Sequence, residues 1–269
     1  MAAAPDYREW RPAPELAGLL ACTWAGRLGD DGTPFTDRVL PDACIDLIWD
    51  GRRLFVAGPD TGPVPITPEP GGIFAGLRFR PGLAPTVLGL PAVALLDQRV
   101  DAAEVWADLD MGPVVDSLHG AASLREAAAV LEQAVIGRLP AATPPDRLVA
   151  GTVTALQAQP TAGTTVANLA DRLGVSERQL HRRCTAAVGY GPKVLDRVLR
   201  FRRFLHLVGS PAGTRPPDGL AGLAAAAGYA DQSHLTRECG RLAGTTPARL
   251  LVPRRDDVRS VQDGAGRVP

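Results

Sequence analysis

Residues 166–192, VANLADRLGVSERQLHRRCTAAVGYGP, and residues 220–247, LAGLAAAAGYADQSHLTRECGRLAGTTP, decide the fold of this chain. Laid over each other, Leu169-Ala170 falls on Leu223-Ala224, and Gly174 on Gly228, at an offset of 54. One inserted residue later, Leu180, Arg182, Cys184, Gly189 and Pro192 fall on Leu235, Arg237, Cys239, Gly244 and Pro247 at an offset of 55. Each copy reads as a short helix, a glycine-containing turn and a second helix. Written twice, that is the pattern of tandem helix-turn-helix DNA readers.

In the first copy Thr164 or Thr165 is placed to cap a helix that runs to Leu173, and Gly174-Val175 makes the turn. Ser176 caps the second helix, Glu177–Val188, on which Leu180, Cys184 and Val188 recur every four residues and face inward. Arg178, Gln179, His181 and Arg182 are left outward. An arginine in the N-terminal half of such a helix can enter the major groove and pair with guanine O6 and N7. In the second copy Leu235, Cys239 and Leu242 face inward, which leaves Gln232, Ser233, Thr236 and Arg237 outward. His234 reads as a packing or capping residue. A solvated charged face explains one such helix equally well, but its repetition one motif later argues for a reading surface. Between the copies, residues 193–207 form a long helix with Val194, Val198, Phe201 and Leu205 on one face. Arg197, Arg200, Arg202 and Arg203 stud it; Arg200 is taken as a DNA contact, the alternative being ion pairs inside the domain.

Charge supports this division. The 269 residues are neutral overall, yet residues 1–144 hold 11 Arg against 19 Asp and Glu, net −8. Residues 145–255 hold 15 Arg and one Lys against 7 acids, net +9, and the last 14 residues carry −1. Only the second part suits a polyanion. A hydrophobic share of 45% with 22% charged residues excludes wholesale disorder. Cys22, Cys44, Cys184 and Cys239 lie too far apart for a disulfide framework or a CxxC metal site. No stretch approaches the roughly 18 apolar residues of a membrane span, and the first residues lack a signal peptide's basic start and apolar run. A cytoplasmic protein without membrane contact is expected.

The first ~110 residues hold short apolar runs separated by Gly, Pro and Asp, a β-rich signature. Residues 44–49, 53–57 and 73–80 read as strands, with Asp50-Gly51 as a tight turn between the first two. Strands this short suit a small barrel or half-barrel. A metal-dependent barrel enzyme is disfavoured, because His119, His181, His206 and His234 all lie outside this region. No phosphate loop, GxSxG elbow or paired-carboxylate spacing appears. A binding domain is expected, with Trp24, Trp49 and Phe74 lining a pocket and Cys44, Asp46 and Arg78 as orienting groups. The alternative is that most of these aromatics fill the core. Cys22 and Cys44 are open either to a redox role or to burial as small hydrophobes.

From Ala102 the pattern turns helical. In Ser123–Leu139, apolar residues at spacings of three and four give one face, and Ser123 with Glu126 makes a capping box. That face either packs on its own domain or forms a dimer seam. Residues 140–145, PAATPP, break the helix. The organisation expected is a sensor or dimerisation domain over 1–140, a linker over 141–146, a DNA-binding domain over 147–253 and a disordered tail over 254–269. The fold class is α+β: a β-rich, barrel-like domain with helices, then an all-α domain of two helix-turn-helix motifs joined by a long helix.

These residues carry a resemblance. The span from about Arg147 to Leu251 resembles the DNA-binding domain of AraC/XylS-type transcriptional regulators. The matching marks are LADRLGVSERQLHRRCTAAVGYGP, RVLRFRRFLHLV and LAAAAGYADQSHLTRECGRLAGTTP. The resemblance implies two recognition helices in successive major-groove segments, reading through Arg178, His181 and Arg182 and through Gln232, Ser233, Thr236 and Arg237. It implies promoter DNA as partner, with RNA polymerase, a small-molecule effector and a homodimer as further expectations, and no cofactor or metal. The chain departs from the family in carrying Cys184 and Cys239 where an aromatic is usual, Gly240 where a basic residue is usual, and a long connection over 210–219. More weakly, LPDACIDLIW and GLRFRPG resemble poorly characterised sensor domains attached to such regulators. The favoured reading is a regulator controlled by a small molecule or stress signal. The rival is a thiol-dependent, alkyl-accepting DNA-repair protein that uses the second domain for targeting.

Overall fold

The β-prone runs of the first hundred residues pair into eight strands in a computed structural model that describes residues 6–27, 37–66, 71–158, 165–210 and 218–251. They are β1 (Asp6–Trp10), β2 (Leu20–Arg27), β3 (Asp37–Val39), β4 (Asp46–Trp49), β5 (Leu54–Ala57), β6 (Val64–Ile66), β7 (Ile73–Phe79) and β8 (Arg99–Asp101). Six form one antiparallel sheet in the order β1-β2-β7-β4-β5-β8, and β3 pairs with β6 separately. The edges β1 and β8 do not pair with each other, so among the described residues the sheet is open, and of the barrel or half-barrel expected no closed barrel forms. Six short strands fall below the roughly eight that close around a filled interior. The β4–β5 hairpin turns at Asp50, whose Oδ1 accepts the Arg52 and Arg53 amides, and at Gly51, whose φ is 97°.

Register decides what each face carries. Leu47, Leu77 and Val56 lie in one cross-strand row, and Trp49, Ala75 and Leu54 in the next. They form a core with the helices α1 (Pro85–Leu88), α2 (Ala102–Val105), α3 (Gly112–His119) and α4 (Leu124–Ile136). The Ser123 hydroxyl accepts the Glu126 amide to start α4, and the α4 stripe of Ala127, Leu131 and Val135 is buried in that core. Glu132 on α4 is 3% exposed, but it is not orphaned. The Thr23 hydroxyl donates to it at 2.6 Å and the Ala13 amide at 3.2 Å, as a buried carboxylate requires.

The remaining helices are α5 (Arg147–Ala158), α6 (Val166–Arg172), α7 (Glu177–Val188), α8 (Pro192–Gly209), α9 (Gly219–Ala227), α10 (Gln232–Ala243) and α11 (Pro247–Leu251). They share a second core, to which Leu180, Cys184, Leu195, Val198, Phe201, Phe204, Leu223, Leu235 and Cys239 contribute. On α8 the fully buried stripe is Leu195, Val198, Leu199, Phe201 and Phe204. Val194 and Leu205, expected inside, are half-buried at its margin, because the partner helices meet α8 on a face turned slightly from the one the spacing suggested. This second core also takes in Leu40 and Ala43 of the first domain. The 254–269 tail and most of the 210–219 connection lie outside the described residues.

Candidate nucleic-acid interface

The two helices expected to read DNA, α7 and α10, are built alike. The Ser176 hydroxyl accepts the Gln179 amide at 3.2 Å to open α7, and Asp231 Oδ1 accepts the His234 amide at 2.6 Å to open α10. Each cap satisfies one backbone donor that the first turn leaves without a partner. Leu180, Cys184 and Val188 are buried beneath α7, and Leu235, Cys239 and Leu242 beneath α10. Left exposed are Arg178, Gln179, His181 and Arg182 on the first helix, and Gln232, Ser233, Thr236 and Arg237 on the second. The offset of 55 puts Arg178 over Ser233, His181 over Thr236, Arg182 over Arg237 and Thr185 over Gly240. Three of the expected positions thus coincide on the two outward faces, while Gln179 falls over His234, Gln232 falls over Glu177, and Arg200 lies apart on α8. His234 takes the packing and capping role: its ring stands edge-on to Tyr229 at 5.2 Å, and Nδ1 lies 3.4 Å from the Ala230 amide.

The arginines of α8 point elsewhere. Arg200 pairs with Asp196 and lies over the Tyr229 ring at 5.7 Å. Arg197 pairs with Glu238 at 2.8 Å, and Arg203 donates to the carbonyls of Ala227 and Leu156. Arg202 donates to the Asp42 carbonyl of the first domain at 3.2 Å. Arg197 and Arg200 form ion pairs inside the domain, whereas Arg202 and Arg203 bond backbone carbonyls. Sequence reasoning also missed Asp146, which caps α5 through the Leu148 and Val149 amides and holds Arg183 at 2.6 Å. That pair fixes the first helix of the domain to the first reading helix, and Arg183 holds the Asp146 carboxyl below the usual carboxylate range against the opposing effect of desolvation.

Of the six residues expected around a pocket, the sheet face away from α4 brings four together. One cross-strand row runs Glu9, Trp24, Gly76, Ile48, Phe55, and the neighbouring row runs Cys22, Arg78, Asp46, Ala57, Arg99. Phe74 faces Gly26 in a third row. The glycines are required there: a Cβ at Gly76 would lie 2.2 Å from the Trp24 ring, and one at Gly26 would lie 2.4 Å from Phe74. Both rings thus lie flat on the backbone. The buried Trp24 Nε1 has no hydrogen-bond partner among the described residues. Arg78, 3% exposed, grips Asp46 through Nε at 3.2 Å and Nη2 at 3.0 Å, and its Nε is 3.4 Å from Asp42. Burial raises the Asp46 carboxyl and Arg78 pulls it back down. Trp49 is placed on the opposite face, in the helical layer, with His119 edge-on at 4.7 Å. Cys44 is buried in the segment that precedes β4.

All four thiols are buried and free. Desolvation pushes Cys22 and Cys239 up to about 12 and Cys184 up to about 11, and raises Cys44 well above the ordinary thiol value. Among the described residues no group of three or more His, Cys, Asp or Glu is placed to hold a metal ion, and no helix is long and apolar enough to cross a membrane.

Residues 169–251 match the family described as a helix-turn-helix domain, and residues 8–101 match a domain of unknown function (DUF6597). The first match supports a DNA-binding transcriptional regulator. Within that class its C-terminal segment is a helix-turn-helix domain of the AraC type, following an N-terminal domain of unknown function. Among solved structures, the chain is similar to ToxT from Vibrio cholerae O395 at 10% identity and a TM-score of 0.44, covering 86% of this chain and 98% of that one. An apo ToxT variant from Vibrio cholerae strain SCE256 gives the same identity and score, over 92% of this chain and 96% of that one. No curated protein matches.

Proposed function

We propose that the protein is a sequence-specific regulator whose two reading helices lie in successive major-groove segments of promoter DNA. Arg178, Gln179, His181 and Arg182 read at one, and Gln232, Ser233, Thr236 and Arg237 at the other. The observation that supports this reading is that three exposed positions of α7 recur as exposed positions of α10, above equivalent buried faces. The net charge of +9 on residues 145–255 supplies phosphate attraction and a salt-dependent affinity. Arg200 reaches a phosphate only by leaving Asp196 and Tyr229. On this reading the protein acts in the cytoplasm, with RNA polymerase as a further partner and a homodimer as one assembly.

The first domain answers a small molecule on the sheet face of Trp24, Phe74, Phe55 and Ile48, with Asp46 and Arg78 as its polar wall. Aromatic rings beside a few polar groups are the usual lining of such a site, and the Trp24 indole offers an unused donor. Such control requires only that the ligand favour one arrangement of the protein over another. Four buried thiols with raised pKa values favour a regulator over the thiol-dependent repair reading. Arg182→Ala tests the proposal in an anisotropy titration against a duplex selected from a randomised pool. A guanine contact predicts about 5- to 150-fold weaker binding and relaxed preference at one position. Unchanged affinity and preference would remove α7 from the interface.

A further inference from the structure

The segment Leu40–Cys44 joins the two domains. Leu40 and Ala43 are buried in the helical core of the second domain rather than in the core of the sheet. Ala43 has φ 67°, a left-handed conformation that disfavours any residue with a Cβ and persists only where its surroundings hold it. Those surroundings are identifiable. Asp42 Oδ1 accepts the Cys44 amide at 2.8 Å, and its other oxygen faces Arg78 on the sheet at 3.4 Å. The Asp42 carbonyl accepts Arg202 of α8 at 3.2 Å.

On either side of this segment, the first domain meets the ends of both reading helices. A Cβ at Gly189, which closes α7, would lie 2.5 Å from Pro59 and 3.3 Å from the Ala92 carbonyl oxygen. At the end of α10, Arg38 donates to the Ala243 carbonyl at 3.3 Å, and a Cβ at Gly244 would lie 3.5 Å from Arg38 and from Pro63. Gly189 and Gly244 are the same position of the repeat, both left-handed at 95° and 62°. The first domain therefore touches two helices at matching C-terminal ends, and the residues on their outward faces stay exposed.

We propose that Leu40–Cys44 is the coupling element of the protein: seated in the helical core and keyed to Arg78, it lets the sheet domain set how the two reading helices are presented to DNA. The contacts at Gly189 and Gly244 hold both helices at their C-terminal ends while their outward faces stay exposed. Docking is therefore taken as the binding-competent arrangement, and loosening is expected to weaken binding. The coupling deepens the regulator reading and rests on it for its affinity readout.

The test uses the full chain with Arg78→Lys on the sheet, Arg202→Met on α8, and both together, each confirmed as folded by circular dichroism. Arg78 and Arg202 are both held by Asp42, one through its carboxylate and one through its carbonyl. Each single variant is expected to bind the selected duplex about three- to tenfold more weakly with unchanged sequence preference. The double variant is expected to be no weaker than the worse single. Effects that multiply, or singles indistinguishable from wild type, overturn the proposal. If Arg78→Lys does not fold, Asp42→Asn replaces it, since the amide oxygen keeps the Cys44 bond and only the charge facing Arg78 is lost. Hydrogen exchange on the DNA-free protein separates this proposal from the regulator reading. The sheet-side variant should speed exchange at Gly189 and Gly244, and unchanged exchange there overturns the coupling. A wild type that selects no sequence from the pool sinks the regulator reading while leaving the exchange result decisive for the coupling.

Discussion

Replacing Arg78 by Met removes a guanidinium that faces both Asp42 and Asp46 while roughly keeping the side chain's length. The side chains of Arg78 and Asp46 are 4% and 12% exposed, and two hydrogen bonds join them. Breaking a buried pair by deleting one partner typically costs about 3–5 kcal/mol, since the surviving charge has no water to turn to. For a chain of this size, that lowers the melting temperature by roughly 6–20 °C. The loss depends on pH in a defined direction. Asp46 is already raised by burial, and Arg78 opposes that rise. Without the guanidinium the folded carboxyl moves higher still, so between its unfolded and folded values the native state holds a proton that the unfolded chain has released. Stability of the variant therefore increases as pH falls through that window, and the gap to wild type narrows as the solution is acidified. Urea melts at several pH values measure this, and adding Asp46→Asn to Arg78→Met should recover about 1–2 kcal/mol at neutral pH. A variant within about 1 kcal/mol of wild type at pH 7, with no pH trend and no recovery, would refute the argument that the pair is buried and mutually dependent.

Other perturbations probe the reading helices and the thiols. Nothing lies within 4 Å of a Cβ built on exposed Gly240, so Gly240→Ala should stabilise α10 by about 0.5–1 kcal/mol with little effect on DNA affinity. Gly240→Arg should in addition tighten binding and steepen its salt dependence by about one counter-ion, read from titrations at several salt concentrations. Ser176→Ala deletes the α7 cap and should cost about 1 kcal/mol in thermal melts, with faster amide exchange in the first turn of that helix. At pH 8 the native protein should react with a thiol reagent at none of its four cysteines, and at all four once unfolded. Rapid native labelling of Cys22 or Cys44 would reopen the thiol-dependent reading.

The tandem helices were legible because several local signals agreed within each copy: a capping side chain, a fourfold apolar spacing and a glycine at the end. Thr165, Ser176 and Asp231 all cap where such residues begin a helix. What stayed hidden depends on register or on distant partners. Trp24 and Trp49 look alike in sequence, but the pairing of β2, β7 and β4 sends them to opposite faces, and strand parity between separate strands is not written in either one. The role of Leu40–Cys44 stayed hidden because its bond to Arg202 spans 160 residues, from Asp42 to α8. For Arg200 there was a usable signal: Asp196 stands four residues before it, the spacing at which side chains meet on a helix.

The two reading faces are equivalent in position but not in chemistry. Where the first helix shows Arg178 and His181, the second shows Ser233 and Thr236, and only the Arg182 and Arg237 positions agree. Two-fold assemblies of identical heads read palindromes and bind equally well in either orientation. One copy of this chain carries two different heads in a fixed order, so the word it reads differs when inverted. On the proposed reading, a single bound molecule therefore has a heading along the duplex.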